Sequence, residues 1–442
     1  MSDLPEGWVW ANLGEIGNYI NGRGFKKAEW TDHGLPIIRI QNLTGTSKAF
    51  NSFSGDLEDR YRVPPGSLLV SWAASLGVYI WGGPEGALNQ HIFRVESRID
   101  SNFHRWLLDS ALADLQRQSH GSGMVHITKG KFDSTAVPLP PLAEQRRIVA
   151  AVEAAMSKLE AGVTYLEAAS RRADRLWAAT LSAALLDGHA EHHSLPHGWD
   201  RVPLEELVPD RSSITDGPFG SNLKTVHYTE NGPRVVRLQN IGDGVFRDEK
   251  AHISPTHFET LRKHEVLPGD ILVASLGEEL PRACVAPETL GPAIVKADCI
   301  RVRVRPEIEA KYVMYALNSP AVRRKIAEAI RGVGRPRINL RDIRALKIPL
   351  APARVRPQII QLLDATFEGR QDLQRSVGAE TMRAASLRRS VLGAALSGRL
   401  VPQDPTDEPA SLLLERITAE QAASAALTPR RRLSRPASGG LA

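Results

Sequence analysis

The chain is poor in cysteine: Cys284 and Cys299 are the only two in 442 residues. Two thiols are too few for a disulfide framework or a cysteine zinc site, and a reducing cytoplasm is the expected compartment. No stretch approaches the roughly 20 apolar residues of a membrane helix, and the opening Met1 to Trp8 lacks a signal-peptide pattern. Secreted and membrane classes are thereby set aside, and no membrane partner is expected. Lysine is also scarce, with 13 Lys beside 43 Arg in a chain of net charge +6. The planar fork of Arg suits phosphates and guanine edges, although a GC-rich coding sequence produces the same excess. What is present is ordinary: 42% apolar and 24% charged residues supply cores for two to four domains and exclude wholesale disorder.

The dominant feature is an internal duplication. Leu4-Pro5-Glu6-Gly7-Trp8 returns as Leu195-Pro196-His197-Gly198-Trp199, and Ile38 to Leu43 returns as Val236 to Ile241. Pro65 to Val70 returns as Pro268 to Val273, and Ser75-Leu76-Gly77 as Ser275-Leu276-Gly277. Gly121, Gly123, Ile127, Pro138 and Leu139 return as Gly332, Gly334, Ile338, Pro349 and Leu350. The order is kept while the offset drifts from 191 to 211. Copies of about 200 residues are tandem domains, not a short-period solenoid.

Each copy changes texture midway. The first part has short apolar runs between turns, such as Leu68 to Ser71 and Ile271 to Ala274, with helix expected over Phe103 to Leu115 and Ala310 to Ile330. The second part reads as one long helix, from after Pro138–Pro141 to near Gly188, and again from about Pro357 to Gly398. Roughly 40 to 46 residues of helix span about 60 to 70 Å. In the first helix Val149, Val152, Met156, Leu159, Val163 and Leu166 form a heptad seam. In the second, Ile360, Leu363 and Phe367 fit one register, while Leu373, Val377, Ala384, Leu387 and Val391 suggest another, with Gly369 and Gly378 marking a shift. Although the second seam is poorer, two long helices of matching length predict an antiparallel pair and an approximate two-fold relation between the copies.

Three motifs carry a family resemblance: Leu4 to Trp8; Pro138-Leu139-Pro140-Pro141-Leu142-Ala143-Glu144-Gln145-Arg146-Arg147-Ile148-Val149; and Ser397-Gly398-Arg399-Leu400-Val401-Pro402-Gln403-Asp404-Pro405 with Asp407 to Ala410. With these the chain resembles the specificity subunit of type I restriction-modification systems, from residue 1 to about 420. The resemblance implies a mixed α/β (α+β) fold: two globular target-recognition domains, 1–137 and 191–348, separated by two long antiparallel coiled-coil helices in 138–190 and 349–400. A C-terminal segment, 401–442, ends in a partly disordered tail rich in Arg from Arg430 to Arg435. It also implies a non-catalytic subunit that binds double-stranded DNA, whose two domains read the halves of a split asymmetric site. Two methyltransferase subunits dock on it, restriction subunits join the full complex, and the helix pair sets the gap. No cofactor is expected in this chain; the methyltransferase partner would use S-adenosylmethionine. The second copy departs from the pattern, with Ala353-Arg354-Val355-Arg356-Pro357-Gln358-Ile359 where the first has Leu142 to Ile148.

Candidate DNA contacts are basic and polar groups on loops. Arg323, Arg324, Lys325, Arg331, Arg335, Arg337, Arg341, Arg344 and Lys347 crowd one window of the second copy, matched by Lys129 and Lys131 in the first. Lys129, Lys131, Arg335, Arg337 and Arg341 are assigned mainly to phosphates. The paired loops Gly22-Arg23-Gly24-Phe25-Lys26-Lys27 and Gly217 to Lys224 add Arg23, Lys26, Lys27, Ser221, Asn222 and Lys224 as base-reading or backbone-positioning groups, against the alternative of plain turns. Gln41-Asn42 and Gln239-Asn240 recur in both copies and are expected to be structural. A methyltransferase motif and a phosphate-binding loop are absent from the sequence. The alternatives are a self-sufficient Mg²⁺-dependent nuclease using Asp210, Asp248, Glu249 and Lys250, and a helix-mediated scaffold. His189, His192, His193 and His197 read as a solvated linker, with no metal site expected. Cys284 and Cys299 read as core thiols.

Overall fold

A computed structural model describes residues 4–118, 128–186, 195–277, 279–329 and 336–427. The first copy contains ten strands among these: β1 Val9–Asn12, β2 Gly17–Asn21, β3 Leu35–Ile38, β4 Ser52–Phe53, β5 Arg62–Val63, β6 Leu68–Ser71, β7 Gly77–Ile80, β8 Gly86–Leu88, β9 Ile92–Ser97 and β10 Ala136–Leu139. The second copy has ten more: β11 Asp200–Pro203, β12 Ile214–Asp216, β13 Tyr228–Val236, β14 His252–Ile253, β15 Glu265–Val266, β16 Ile271–Ala274, β17 Arg282–Val285, β18 Ala293–Val295, β19 Cys299–Val302 and β20 Lys347–Leu350. The sheets run β2-β9-β6-β7, β4-β3-β8-β5 and β1-β10 in the first copy. In the second they run β12-β19-β16-β17, β14-β13-β18-β15 and β11-β20. Every strand has its counterpart ten places later, including the parallel pairs β3 with β8 and β13 with β18. The duplication in the sequence is thus a duplication of topology.

Local chemistry explains the repeat. Pro65-Gly66 and Pro268-Gly269 supply the turns that enter β6 and β16, with the glycines at φ +81° and +84°, where a side chain is strained. β6 and β16 are buried along their whole length and apolar except at Ser71, because both faces are covered. In the first copy Tyr19, Phe93, Phe103, Trp106 and Phe132 form the centre of the core between the β2-β9-β6-β7 sheet and the helix Ser101–Gln118. His104 is fully buried there, between Tyr19 Oη and Ser97 Oγ at 2.8 Å each, and burial drops its pKa to about 3, so it stays neutral.

One expected helix is broken. Ala310 to Ile330 divides into Ala310–Leu317 and Pro320–Ala329. Pro320 cannot continue a helix but suits a first turn. The buried Asn318 before it accepts from the Ala283 N–H and donates to the Ala283 carbonyl, both at 2.8 Å, finishing the edge of β17.

The chain divides into two compact units. One takes in residues up to Thr164 and from Thr381 onward, and the other is Tyr165–Glu380. The long helices are Leu142–Ala184 and Arg356–Leu396. Inside the first unit Val149, Val152 and Met156 share a core with Leu392 and Ala395, and Leu159 packs against it. Val163 with Leu159 faces Thr381 and Ala384 across a shallow groove. Inside the second unit Trp177, Leu181 and Leu185 share a core with Leu363, Ile360 and Phe367, the Trp177 and Phe367 rings 5.3 Å apart. In each unit the early half of one helix lies along the late half of the other, so the pairing is antiparallel. Leu166 is half-buried.

The seam of the second helix corrects the reading of two registers. Leu363, Phe367, Arg370, Gln374, Val377, Thr381, Ala384, Arg388, Val391 and Ala395 fall at alternating steps of four and three without a break. Gly369 and Gly378 lie on the exposed side and Leu387 is half exposed. The register looked interrupted because polar side chains occupy it. Arg370 Nε and Gln374 Nε2 both reach Asp174 Oδ1, at 2.7 and 3.1 Å, and Arg388 lies over the Trp106 ring at 5.7 Å.

The three motifs that carry the family resemblance meet in the first unit. Trp8 Nε1 donates to Glu144 Oε2 at 2.9 Å, and Gln403 Nε2 donates to Glu144 Oε1 at 3.4 Å. Arg147 makes a two-pronged pair with Asp407 at 2.6 and 3.2 Å, and the Ala410 N–H donates to the Gly7 carbonyl at 2.9 Å. Their spacing in sequence is explained by this closure, in which the segment after the second helix returns to the beginning of the chain.

Candidate nucleic-acid interface

The same loop junction is built in both copies. After β2 the chain passes Gly22, and after β12 it passes Gly217. A Cβ on Gly22 would lie 2.1 Å from the Asn89 carbonyl oxygen, and one on Gly217 would lie 2.1 Å from the Lys296 carbonyl carbon. Only glycine lets the backbones approach this closely. The loop after β8 turns at His91, φ +71°, and the loop after β18 turns at Asp298, φ +70°. The first residue after β6, Trp72, donates its N–H to the His91 carbonyl at 3.2 Å, and Ser275 after β16 does the same to Asp298 at 2.9 Å. Three loops are therefore tied together at one end of each domain. In the second copy a fourth segment joins them, through Ile338 N–H to the Ser275 carbonyl at 2.8 Å and a bridge of Arg337 with Leu276.

The expected contact residues divide by their surroundings. Lys26 and Lys27 are exposed beside the first junction. Arg23 is held inward: its guanidinium lies 4.2 and 4.8 Å from the Phe25 and Phe53 ring centres and pairs with Glu29 at 2.7 Å. The Lys26 backbone N–H and then Arg23 hold the Glu29 carboxyl below its usual pKa. Lys129 pairs with Asp133 at 2.8 Å and stands over the Tyr19 and Phe93 rings at 5.9 and 5.8 Å. Lys131 is exposed.

In the second copy Asn222, Lys224 and Arg341 are exposed, and His257 Nε2 makes a 2.9 Å hydrogen bond with the Asn222 carbonyl. Ser221 belongs to the short helical turn Gly220–Asn222. Arg337 pairs with Asp298 at 2.8 Å and lies 5.4 Å from the centre of the Phe219 ring. Two other basic residues of this window are structural: Arg323 pairs with Asp243 at 2.8 Å, and Arg344 donates to the Ile214 carbonyl at 2.7 Å. Arg335, Arg331, Gly332, Gly334, Gly121, Gly123, His189, His192, His193 and the Arg430–Arg435 tail lie outside the described residues.

Sequence reasoning passed over several groups at the junctions. Trp72 stacks on Phe93 with ring centres 5.6 Å apart, meets the His91 ring at 5.0 Å, and donates Nε1–H to Asn21 Oδ1 at 3.2 Å. In the second copy Ser275 stands in the place of Trp72 and Asp298 in that of His91, with the half-exposed Phe219 in the loop after β12. The available signal was His91 and Asp298 themselves, since His, Asn and Asp are enriched where a non-glycine residue takes positive φ.

The recurring Asn residues are structural. Asn240 is fully buried; its Oδ1 accepts from Arg237 N–H at 2.8 Å, and its Nδ2 donates to the Arg247 and Glu249 carbonyls at 2.8 and 2.7 Å. Asn42 makes the matching bonds to Arg39, Ser47 and Ala49. The residues of the nuclease alternative do not gather. Asp210 caps the turn at Ser212 and Ser213, and its pKa is lowered chiefly by the Ser212 hydroxyl. Asp248 pairs with Arg234 at 2.8 Å, and Glu249 accepts from Gln239 at 2.6 Å. Among the described residues no group of three or more His, Cys, Asp or Glu is placed to hold a metal ion. Cys284 and Cys299 are fully buried, and burial pushes the Cys284 thiol up to about 12. No helix among the described residues is long and apolar enough to cross a membrane.

Comparison with known proteins gives one family. Residues 5–164 match the family model of the type I restriction modification DNA specificity domain. The chain is 24% identical to the type I restriction enzyme EcoBI specificity subunit of Escherichia coli, over 95% of this chain and 94% of that protein. It is 23% identical to the MjaVIII specificity subunit of Methanocaldococcus jannaschii, over 78% of this chain and 83% of that one. A chain solved in a study of complex assembly and conformational transition of the type I R-M system shares the fold. Its TM-score is 0.70 at 21% identity, covering 90% of this chain and all of that one.

Proposed function

We propose, for a chain that belongs with the type I restriction-modification specificity subunits, that it is the non-catalytic, sequence-reading subunit of an adenine-methylating and restricting complex. Each copy reads one half of a split site in double-stranded DNA through its loop junction. The halves differ, because Trp72 and His91 stand in the first copy where the second has Ser275 and Asp298. Exposed basic groups such as Lys26, Lys27, Lys224 and Arg341 take phosphates and set position without reading bases. The helix pair fixes the gap between half-sites.

The observation that carries this reading is the repeated junction: one strand order, one glycine approach and one left-handed turn, twice, with different side chains mounted on it. A recognition scaffold keeps its frame and varies its loops in this way. The long helices carry exposed apolar side chains, among them Tyr165, Leu176, Leu362 and Met382. They suit the docking of two methyltransferase subunits, which would bring S-adenosylmethionine, and restriction subunits would join that assembly.

The test is methylation mapping of genomic DNA from cells with and without the gene. Loss of marks at one split, asymmetric motif with a fixed gap is the expected result. Unchanged marks at every motif would overturn the reading.

A further inference from the structure

The two copies present different chemistry at the same junction, and the second copy's is the more specific. The Arg337 side chain is about half exposed, yet it is held in place. Its backbone is bridged to Leu276, and the next residue, Ile338, is tied to Ser275. Its NH2 meets Asp298 Oδ1 at 2.8 Å, and the Phe219 ring lies 5.4 Å away. Asp298 is itself anchored, because Ser275 donates both its N–H and its hydroxyl to the Asp298 carbonyl at 2.9 Å.

An Arg whose charge is neutralised by a carboxylate is a poor choice for a phosphate, where net charge supplies the energy. A guanidinium keeps five N–H donors in a rigid fork, and those not turned to Asp298 remain for another acceptor. A fork fixed by a carboxylate on one side and a ring beside it suits a planar, uncharged edge with two acceptors. Guanine O6 and N7 in the major groove are that edge.

Resting on the specificity-subunit reading, we propose that Arg337 reads a guanine in the half-site of the second copy, with Asp298 and Phe219 as its positioning residues. The phosphate role then falls to Lys224 and Arg341, which are exposed in the same copy.

The experiment uses the assembled methylating complex and its mapped motif. In Arg337→Lys, which keeps the charge and loses the fork, one G·C position in one half should accept other bases, and the other half should be unchanged. Asp298→Asn should relax the same position to a smaller extent. A duplex carrying 7-deazaguanine at that position should bind wild type about tenfold more weakly, and the Arg337→Lys complex with little further loss. A uniform fall in methylation with the motif intact would make Arg337 a phosphate contact and overturn the inference. So would a wild-type motif lacking any G·C pair in both halves. A wild-type complex with no split motif would instead sink the specificity-subunit reading beneath it.

Discussion

The closure between Trp8 and Glu144 can be tested by a double-mutant cycle. Glu144 is 1% exposed and takes hydrogen bonds from Trp8 at 2.9 Å and Gln403 at 3.4 Å. Trp8→Phe keeps an aromatic ring and deletes the donor to a buried carboxylate, a bond worth about 2 kcal/mol when one partner is charged. Poorer ring packing adds about 1 kcal/mol. In a Glu144→Gln background the acceptor is neutral and the same bond is worth about 1 kcal/mol, so the coupling between the two changes should be about 1 kcal/mol. The pH dependence gives a second check. Burial raises the Glu144 pKa above the ordinary 4.5 of a glutamate, so the folded state holds this proton more tightly than the unfolded chain does. Wild-type stability relative to Glu144→Gln should therefore increase as pH falls through the folded pKa toward 4.5, and level off below it. Hydrogen exchange of the amides in Val149–Met156 during urea titration reports this unit without averaging over the other. A coupling under about 0.3 kcal/mol, within the scatter of independent sites, would refute the argument that this buried bond holds the chain's beginning to the first helix.

Three further outcomes follow from the geometry. Asn240→Ala leaves the Arg237 N–H without its acceptor and removes one donor from each of the Arg247 and Glu249 carbonyls, which keep the Glu249 N–H and Arg234 respectively, and should cost about 1 to 3 kcal/mol by denaturant unfolding; Asn42→Ala, at a wetter site, should cost less. Gly217→Ala and Gly22→Ala each press a Cβ into backbone at 2.1 Å, and should remove recognition of one half-site each, read by methylation mapping, while the other half keeps its bases. Replacing Lys26 and Lys27 together by Ala should weaken DNA binding by the complex equally on all sequences, and reduce the slope of log K against log salt by about 0.9 for each phosphate no longer neutralised; an unchanged slope would show that neither lysine touches a phosphate.

Much of the architecture was legible because it rests on local chemistry and repetition. Repeated Pro-Gly pairs marked the turns into β6 and β16, and a 3-4 spacing of apolar residues marked the first long helix. The second seam was harder to read, because Arg370, Gln374, Thr381 and Arg388 hold positions that an apolar pattern leaves blank. The roles of Arg370, Gln374 and Arg388 depend on Asp174 and Trp106, which are distant in sequence. The single helix expected over Ala310 to Ile330 was misjudged where Asn318 leaves the helix to bond to β17, a pairing no local rule announces.

The candidate interface was legible as regions and not as roles. Charge counting singles out Arg23, Lys129, Arg323, Arg337 and Arg344 alike, since each is a basic residue near a turn. Tertiary structure separates them: Arg23 is clamped between rings and Glu29, Lys129 and Arg323 are paired to acids, and Arg344 is spent on a backbone carbonyl. Sequence alone determined the duplication, the class of each segment and the family it resembles, because these follow from residue order and short-range periodicity. The closure of three remote motifs around Glu144, the continuous helix seam and the fixed guanidinium of Arg337 were decided by the fold, because each depends on partners that only packing brings within hydrogen-bonding distance.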